Sequence, residues 1–189
     1  KSRSYIEFDL SQLGPNPVII DAKLSLYITS SLPNYPPGQY GDNKWVINRV
    51  IEPWNEHTIT WNNRPSYTTH NQIFMPASSD PLQHYEDINV TELVQDMVMY
   101  PDQSFGFIFR LRREETLRAL DFCSSDYSNE NYRPKLVIIY NSNAPPIASF
   151  TYEINGDTVF FYDQSFGADC WEWDFGDRKS TRLNSSHYS

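Results

Sequence analysis

The 189-residue chain carries 24 acidic against 15 basic residues, a formal charge of −9, together with 13 Tyr, 11 Phe, 5 Trp and 13 Pro. Such acidity argues against nucleic acid or an anionic membrane as the main partner, because both reward cationic surfaces. No apolar run approaches the roughly 18 residues of a membrane-spanning helix, and the aromatic and proline content favours strands joined by punctuated loops.

Period-two alternation dominates from the start. In RSYIEFDL, Ile6, Phe8 and Leu10 point one way and Tyr5, Glu7 and Asp9 the other. A second strand places Ala22, Leu24, Leu26 and Ile28 on one face, with Lys23, Ser25, Tyr27 and Thr29 on the opposite one. A long loop rich in Pro, Gly, Asn and Tyr follows, and then a third strand in KWVINRVI. EPWNEHTITWNNRPSYTTHNQ reads as mostly irregular, with a short strand near Thr58 to Trp61. One helix is expected: Asn89 and Glu92 have the spacing of a capping box, and Leu93, Val94, Met97 and Val98 form one apolar stripe ahead of Pro101. Phe105, Phe107, Phe109 and Leu111 then alternate with Ile108, Arg110 and Arg112, and strands in ALDFCSS and PKLVIIY complete the unit. Single-faced alternation in successive strands predicts an all-β fold, an antiparallel β-sandwich with one short helix.

NSNAPP reads as a short polar linker, after which IASFTYEI, TVFFYDQS and CWEWDFGD begin a second series of strands. The predicted organisation is a module over 1–140, a linker over 141–146, a partial second domain over 147–177 and a tail over 178–189. Three of the 15 basic residues and none of the acidic ones fall in that tail. The tail is expected to be translated adapter sequence read through the end of an insert.

Two resemblances attach to these segments. RSYIEFDLSQL, AKLSLYI and NKWVINRVIEPWNEHTITWNNRPS, followed by VTELVQDM, FGFIFRLRRE and FCSSDYSNENYRPKLVIIY, resemble in order the DNRLRE (disaggregatase-related) modules of secreted bacterial and archaeal proteins. Such modules are jelly-roll-like and akin to carbohydrate-binding modules. They usually begin with a further strand or two, so a cut N-terminus and an unpaired edge are expected here. ASFTYEINGDTVFFYDQSFGADCWEWDFGD resembles the start of a PKD (polycystic kidney disease-type) domain, an immunoglobulin-like sandwich, with Arg178 where such domains carry Gly. Residues 147–189 are about half of the ~100 residues that sandwich needs.

Motifs for catalysis are lacking. DFG at Asp174 to Gly176 has neither a Gly-rich loop nor an HRD segment beside it. His57, His70, His84 and His187 have no ligand spacing, no Ser sits in GxSxG, and Cys123 and Cys170 read as small buried side chains. Glu52 and Glu56 flank Trp54, but only separation in space identifies a carboxylate pair. No cofactor is expected beyond a structural calcium ion, for which Asp42 and Asn43, or Asp126 and Asn129, offer oxygen ligands; the alternative role for these residues is turn formation.

Ligand-binding candidates are Tyr35 and Tyr40, on a Pro-rich loop where rings are hard to bury, and Arg110 and Arg112, on the strand face opposite the Phe stripe. Arginine forks suit the carboxylates of uronic-acid polysaccharides, and the alternative is pairing with Glu114, Glu115 and the acidic excess elsewhere. Trp54 and Trp61 read as core residues ahead of sugar-stacking ones. The DNRLRE resemblance implies a non-catalytic module that binds a polysaccharide or cell-surface glycan, in a secreted or cell-surface protein whose neighbouring domains are its other partners. The rival reading is a structural or adhesive spacer in a surface stalk.

Overall fold

A computed structural model describes residues 3–14, 16–29, 39–141, 147–165 and 172–173. The chain forms two compact units, Lys1–Ser142 and Asn143–Ser189. The first contains β1 (Ser4–Ile6), β2 (Val18–Leu26), β3 (Trp45–Val50), β4 (Tyr67–Met75), β5 (Tyr85–Asn89), α1 (Thr91–Met99), β6 (Phe107–Leu111) and β7 (Lys135–Asn141). The second contains the hairpin β8 (Phe150–Asn155) and β9 (Thr158–Asp163).

In the first unit, one sheet has the order β1-β6-β3-β4 and the other the order β5-β2-β7, with every pairing antiparallel. The core gathers the alternating apolar positions: Ala22, Leu24 and Leu26 from β2, Trp45 and Ile47 from β3, and Phe107 and Phe109 from β6. Leu93, Val94 and Met97 of α1 join them. Trp45 meets Tyr85 and Phe109 edge-on, with ring centroids 5.1 and 5.8 Å apart, a geometry that aligns the positive ring edge with the negative face. The predicted all-β sandwich is therefore the observed architecture. β1 lies at the edge of its sheet.

Several local expectations give way to side-chain chemistry. The strand expected near Thr58 to Trp61 is a turn, because Asn63 takes the backbone groups that a ladder would use: its Oδ1 accepts from Thr60 Oγ1 at 2.7 Å and its Nδ2 donates to the Thr58 carbonyl at 2.9 Å. ALDFCSS forms no continuous strand. It touches the fold through a bridge between Ala119 and Tyr40 and through Cys123 N donating to Tyr27 O at 2.8 Å. Asn89 makes no capping box; its Oδ1 accepts from Thr91 N, two residues on, and Val90 occupies the cap position.

β4 was hidden inside the stretch read as irregular. Its pairing with β3 runs from Met75 to Ile73, breaks, and resumes at Thr68 and Tyr67, so residues 69–72 bulge out opposite Asn48. Asn71 takes a left-handed φ of 55° within that bulge. A bulge that interrupts the pleat also interrupts the period-two pattern that would have revealed the strand. β3, between β4 and β6, is buried along its whole length.

In the second unit, β8 and β9 pair from Phe150↔Asp163 to Asn155↔Thr158 around Gly156, whose φ of 61° suits a two-residue hairpin. Phe150, Phe161 and Trp173 cluster at 5.4–5.9 Å.

Gly106 sets how closely β1 can dock. At φ 86°, a Cβ there would stand 2.1 Å from the Ile6 carbonyl oxygen and 2.8 Å from Glu7 Cα, both backbone atoms that cannot swing away. Gly106→Ala is therefore expected to lower the urea midpoint by a stability loss of about 1–3 kcal/mol, the scale of a strained backbone position, read by tryptophan fluorescence.

Candidate functional site

Alternation along β6 sends Phe107 and Phe109 into the core and Arg110 and Arg112 to the outer face. Arg110 is anchored there: its Nε donates to Asn48 Oδ1 at 3.1 Å. Asn48 is fully buried, and its Nδ2 donates across the bulge to Thr68 O at 3.0 Å and Gln72 Oε1 at 3.2 Å. By bridging the bulge, Asn48 supports the register that places Tyr67 opposite Val50, on the same outer face.

From Arg110 the face continues as alternating guanidinium groups and rings. Arg110 lies 5.1 Å from the Tyr67 ring centroid, and Arg3 approaches the same ring at 5.9 Å. Arg3 also sits 4.9 Å from the Trp61 ring, which Arg64 meets at 4.6 Å. Arg112 lies 5.1 Å from Phe74, which is 57% exposed, and Trp61 is 41% exposed. Each exposed cation–ring contact contributes about 0.5–1 kcal/mol, enough to orient a side chain without removing it from water.

Among the described residues one carboxylate pairs with an arginine of this array: Glu114 Oε1 stands 2.7 Å from Arg3 Nε. Burial opposes the charge on Arg3, but the hydrogen bond and charge of Glu114 outweigh it, so the guanidinium pKa is raised above its ordinary value. Burial also raises the Tyr5 hydroxyl pKa, against the opposing pull of Arg3 and Arg64. At neutral pH the face thus combines fixed positive charge, a neutral phenol and exposed rings. Chemically, it can stack on flat apolar ligand surfaces while presenting planar donor forks to anions.

Of the residues singled out from sequence, Arg110 and Arg112 share this face. Tyr40 is 44% exposed; its backbone exchanges hydrogen bonds of 3.1 and 2.9 Å with Ala119, and among the described residues no ring contact or hydrogen bond joins it to either arginine. Tyr35 lies outside the described residues. Trp54, expected in the core, is half-buried and lies outside the core cluster, with Nε1 donating to Phe105 O at 2.9 Å and its ring 5.5 Å from Tyr5. Trp61 departs from the core reading and becomes a member of the exposed face. Arg3, Arg64, Tyr67 and Phe74 were not anticipated. Tyr67 and Phe74 belong to the strand that the bulge concealed, and Arg3 joins through the pairing of β1 with β6.

Of the oxygen ligands proposed for calcium, Asp42, Asn43 and Asn129 have protein partners. Asp42 faces Lys44 at 3.5 Å and Arg118 at 3.4 Å, cations that oppose a metal ion there. Asn43 is buried and spends its amide on Ser78 and the Ala119 carbonyl. Asn129 Oδ1 accepts from Asn131 N at 3.1 Å. Among the described residues no three His, Cys, Asp or Glu side chains gather in one place. Glu52 accepts from Ser66 N and Glu56 meets His57 at 3.4 Å, both at the surface. Cys123 is buried, which pushes its thiol pKa up and leaves it protonated and unreactive at neutral pH.

Comparison with protein families matches residues 1–140 to carbohydrate-binding module family 96. The chain belongs to carbohydrate-binding module family 96. Comparison with curated proteins gives no match. The family 96 match spans β1 to β7, so every residue of the arginine–aromatic face falls inside it. Carbohydrate-binding modules are binding rather than catalytic domains, and the first unit is a family 96 module of that kind.

Truncations separate residues that hold the family 96 module together from those it presents. Asn48→Ala strands the Arg110 Nε and the Thr68 carbonyl, and is expected to cost about 1–3 kcal/mol. Trp54→Ala removes a half-buried ring and should cost about 3 kcal/mol. Trp61→Ala, at an exposed ring, should cost no more than about 1 kcal/mol. Equilibrium urea unfolding of the three variants checks the order.

Proposed function

We propose that the family 96 module binds an acidic polysaccharide across the outer face of the β1-β6-β3-β4 sheet. The observation that carries this reading is the alternation of Arg64, Trp61, Arg3, Tyr67 and Arg110, with Arg112 over Phe74 beside it, on a chain whose net charge is −9. An acidic protein gains nothing in solubility from gathering guanidinium groups on one sheet face. A uronic-acid chain offers what that face lacks: carboxylates for the forks and flat C–H surfaces for the exposed rings. Trp61 and Phe74 would take sugar faces, and Arg110 and Arg112 the carboxylates. Binding of this kind is extended and individually weak, since the contacts remain open to solvent and salt.

The wider setting is part of the same reading. The module is of the DNRLRE kind, sits in a secreted or cell-surface multi-domain protein, and is followed by the opening hairpin of a PKD domain that spaces it from its neighbours.

Affinity electrophoresis of the full chain through gels containing alginate, polygalacturonate, xylan, chitin or cellulose tests the reading. Retardation is expected on uronic-acid polymers, decreasing with added salt, and the Arg110→Ala/Arg112→Ala double variant should lose at least about tenfold in affinity, 1.4 kcal/mol. Retention on alginate or polygalacturonate should also fall as pH drops through about 3–4, where carboxylates protonate. The sign follows from the ligand, whose carboxylates lose their charge over that range, while the pKa of Arg3 is raised above its ordinary value. A folded chain retained by no glycan would instead favour a structural or adhesive spacer.

A further inference from the structure

A separate basic cup opens where β3 begins and β6 ends. Arg112 N donates to Lys44 O at 2.8 Å, and beyond this pair the two segments diverge and rejoin at the Tyr40–Ala119 bridge. Asp42, Lys44, Arg112, Arg113 and Arg118 line a cavity of about 330 Å³ there. Asp42 is the one anion among those lining residues, and it meets Lys44 at 3.5 Å and Arg118 at 3.4 Å. Arg118 also pairs with Glu115 at 2.8 Å. The guanidinium groups of Arg112 and Arg113 have no carboxylate or other hydrogen-bond acceptor among the described residues.

The cup is shaped by backbone that few other residues would tolerate. Gly41 has φ 70°, and a Cβ there would stand 2.3 Å from the Leu117 carbonyl oxygen. Leu117 itself is 77% exposed and left-handed at φ 61°, a conformation costly for a γ-branched residue with no burial to offset it. Asn43 pins the base through the Ala119 carbonyl and Ser78, and Arg118 Nη1 donates to the Asp42 carbonyl at 3.0 Å. A strained loop pinned by Asn43 and Arg118, with Lys44, Arg112, Arg113 and Arg118 lining the cavity, suits a pre-organised anion receptor.

The geometry points to an anion subsite in this cup, taking a carboxylate or a sulfate half-ester, with Arg113 and Lys44 as principal donors and Asp42 as an internal competitor. Asp42 already shows that a carboxylate fits between Lys44 and Arg118, and an incoming oxyanion meets the unpaired forks of Arg112 and Arg113. The site stands on the chain's affinity for a small anion. Its assignment to a substituent on a bound glycan rests on the polysaccharide reading above.

Sodium sulfate is titrated into the ¹⁵N-labelled full chain at constant ionic strength, with chloride as the exchanged salt, while the amides of Lys44 and Arg113 and the arginine Nε–H groups are followed by NMR. Saturable shifts centred on the cup are expected. Arg113→Ala should weaken sulfate binding by roughly tenfold or more, and Asp42→Asn should tighten it. Lys135→Ala, on β7 of the other sheet, should leave it unchanged. Parallel titrations with galacturonate oligomers and with sulfated galactan oligosaccharides distinguish the two sources of the anion: shifts with only one of them assign the cup to that substituent. Shifts reproduced by chloride alone, or an Asp42→Asn variant that binds sulfate no better than the parent, would overturn the proposal. Because the sulfate readout needs no polysaccharide, its failure is distinct from a failure of retention on alginate or polygalacturonate.

Discussion

The outer face depends on a single buried amide. Asn48 sits at full burial in a strand whose other outward positions are Val46 and Val50, and it satisfies a hydrogen-bonding need on each side of itself. Toward β4 it donates to Thr68 O and Gln72 Oε1 across the mouth of the bulge; toward β6 it accepts from Arg110 Nε. An aliphatic residue here would leave that carbonyl and that guanidinium without their partner in a dry setting, where an unmet polar group costs about 1–3 kcal/mol. The same bulge carries His70 and Asn71 outward to Asp96 of α1, at 3.0 and 3.1 Å, which ties the helix to the edge of the sheet. Irregularity in β4 is thus a fixed feature that links helix, sheet and face.

What Asn48 fixes at one end, ring contacts extend. An arginine held against an aromatic face keeps part of its donor fork free, whereas one locked into a carboxylate does not. Arg110 and Arg112 lean on Tyr67 and Phe74 and leave the nearby acids to others: Glu114 goes to Arg3, and Glu115 to Arg118. This division of partners explains how a chain of net charge −9 maintains a cationic surface. The rings orient the guanidinium groups in advance, which on the proposed function would lower the ordering cost of binding.

The sequence pattern made some of this legible and not the rest, for identifiable reasons. β2 and β6 alternate in sequence, so Leu24, Leu26, Phe107 and Phe109 were readable as interior and Arg110 and Arg112 as exterior, although Ile108, on the Arg110 side, is fully buried as well. The segment of β4 that faces Asn48 has lost its pleat, and β5 is short, with Asp87 at φ 53° between its buried Tyr85 and Ile88. Neither leaves a period to read. Trp61 was placed in the core on the general tendency of indole to be buried; its exposure follows from Asn63 and Arg64, which fold the preceding segment into a turn. Arg3 and Trp61 lie far apart in sequence and meet only through strand pairing and that turn, information no local pattern contains.

The face and the cup meet along β6. Residues two apart on a strand project to the same side about 7 Å from one another, so Arg110 and Arg112 present successive forks, the first over Tyr67 and the second over Phe74. Arg112 also lines the cup, where Lys44, Arg113 and Arg118 take over from rings as its neighbours. The chemistry therefore changes along one line of side chains, from stacking surface to concentrated charge. A ligand with both sugar faces and anionic substituents would satisfy the whole line, whereas a neutral glycan would meet only the rings and leave the forks hydrated. On the proposed function, discrimination between charged and neutral chains would arise from the forks at the end of one strand, while the rings would supply contact area common to both.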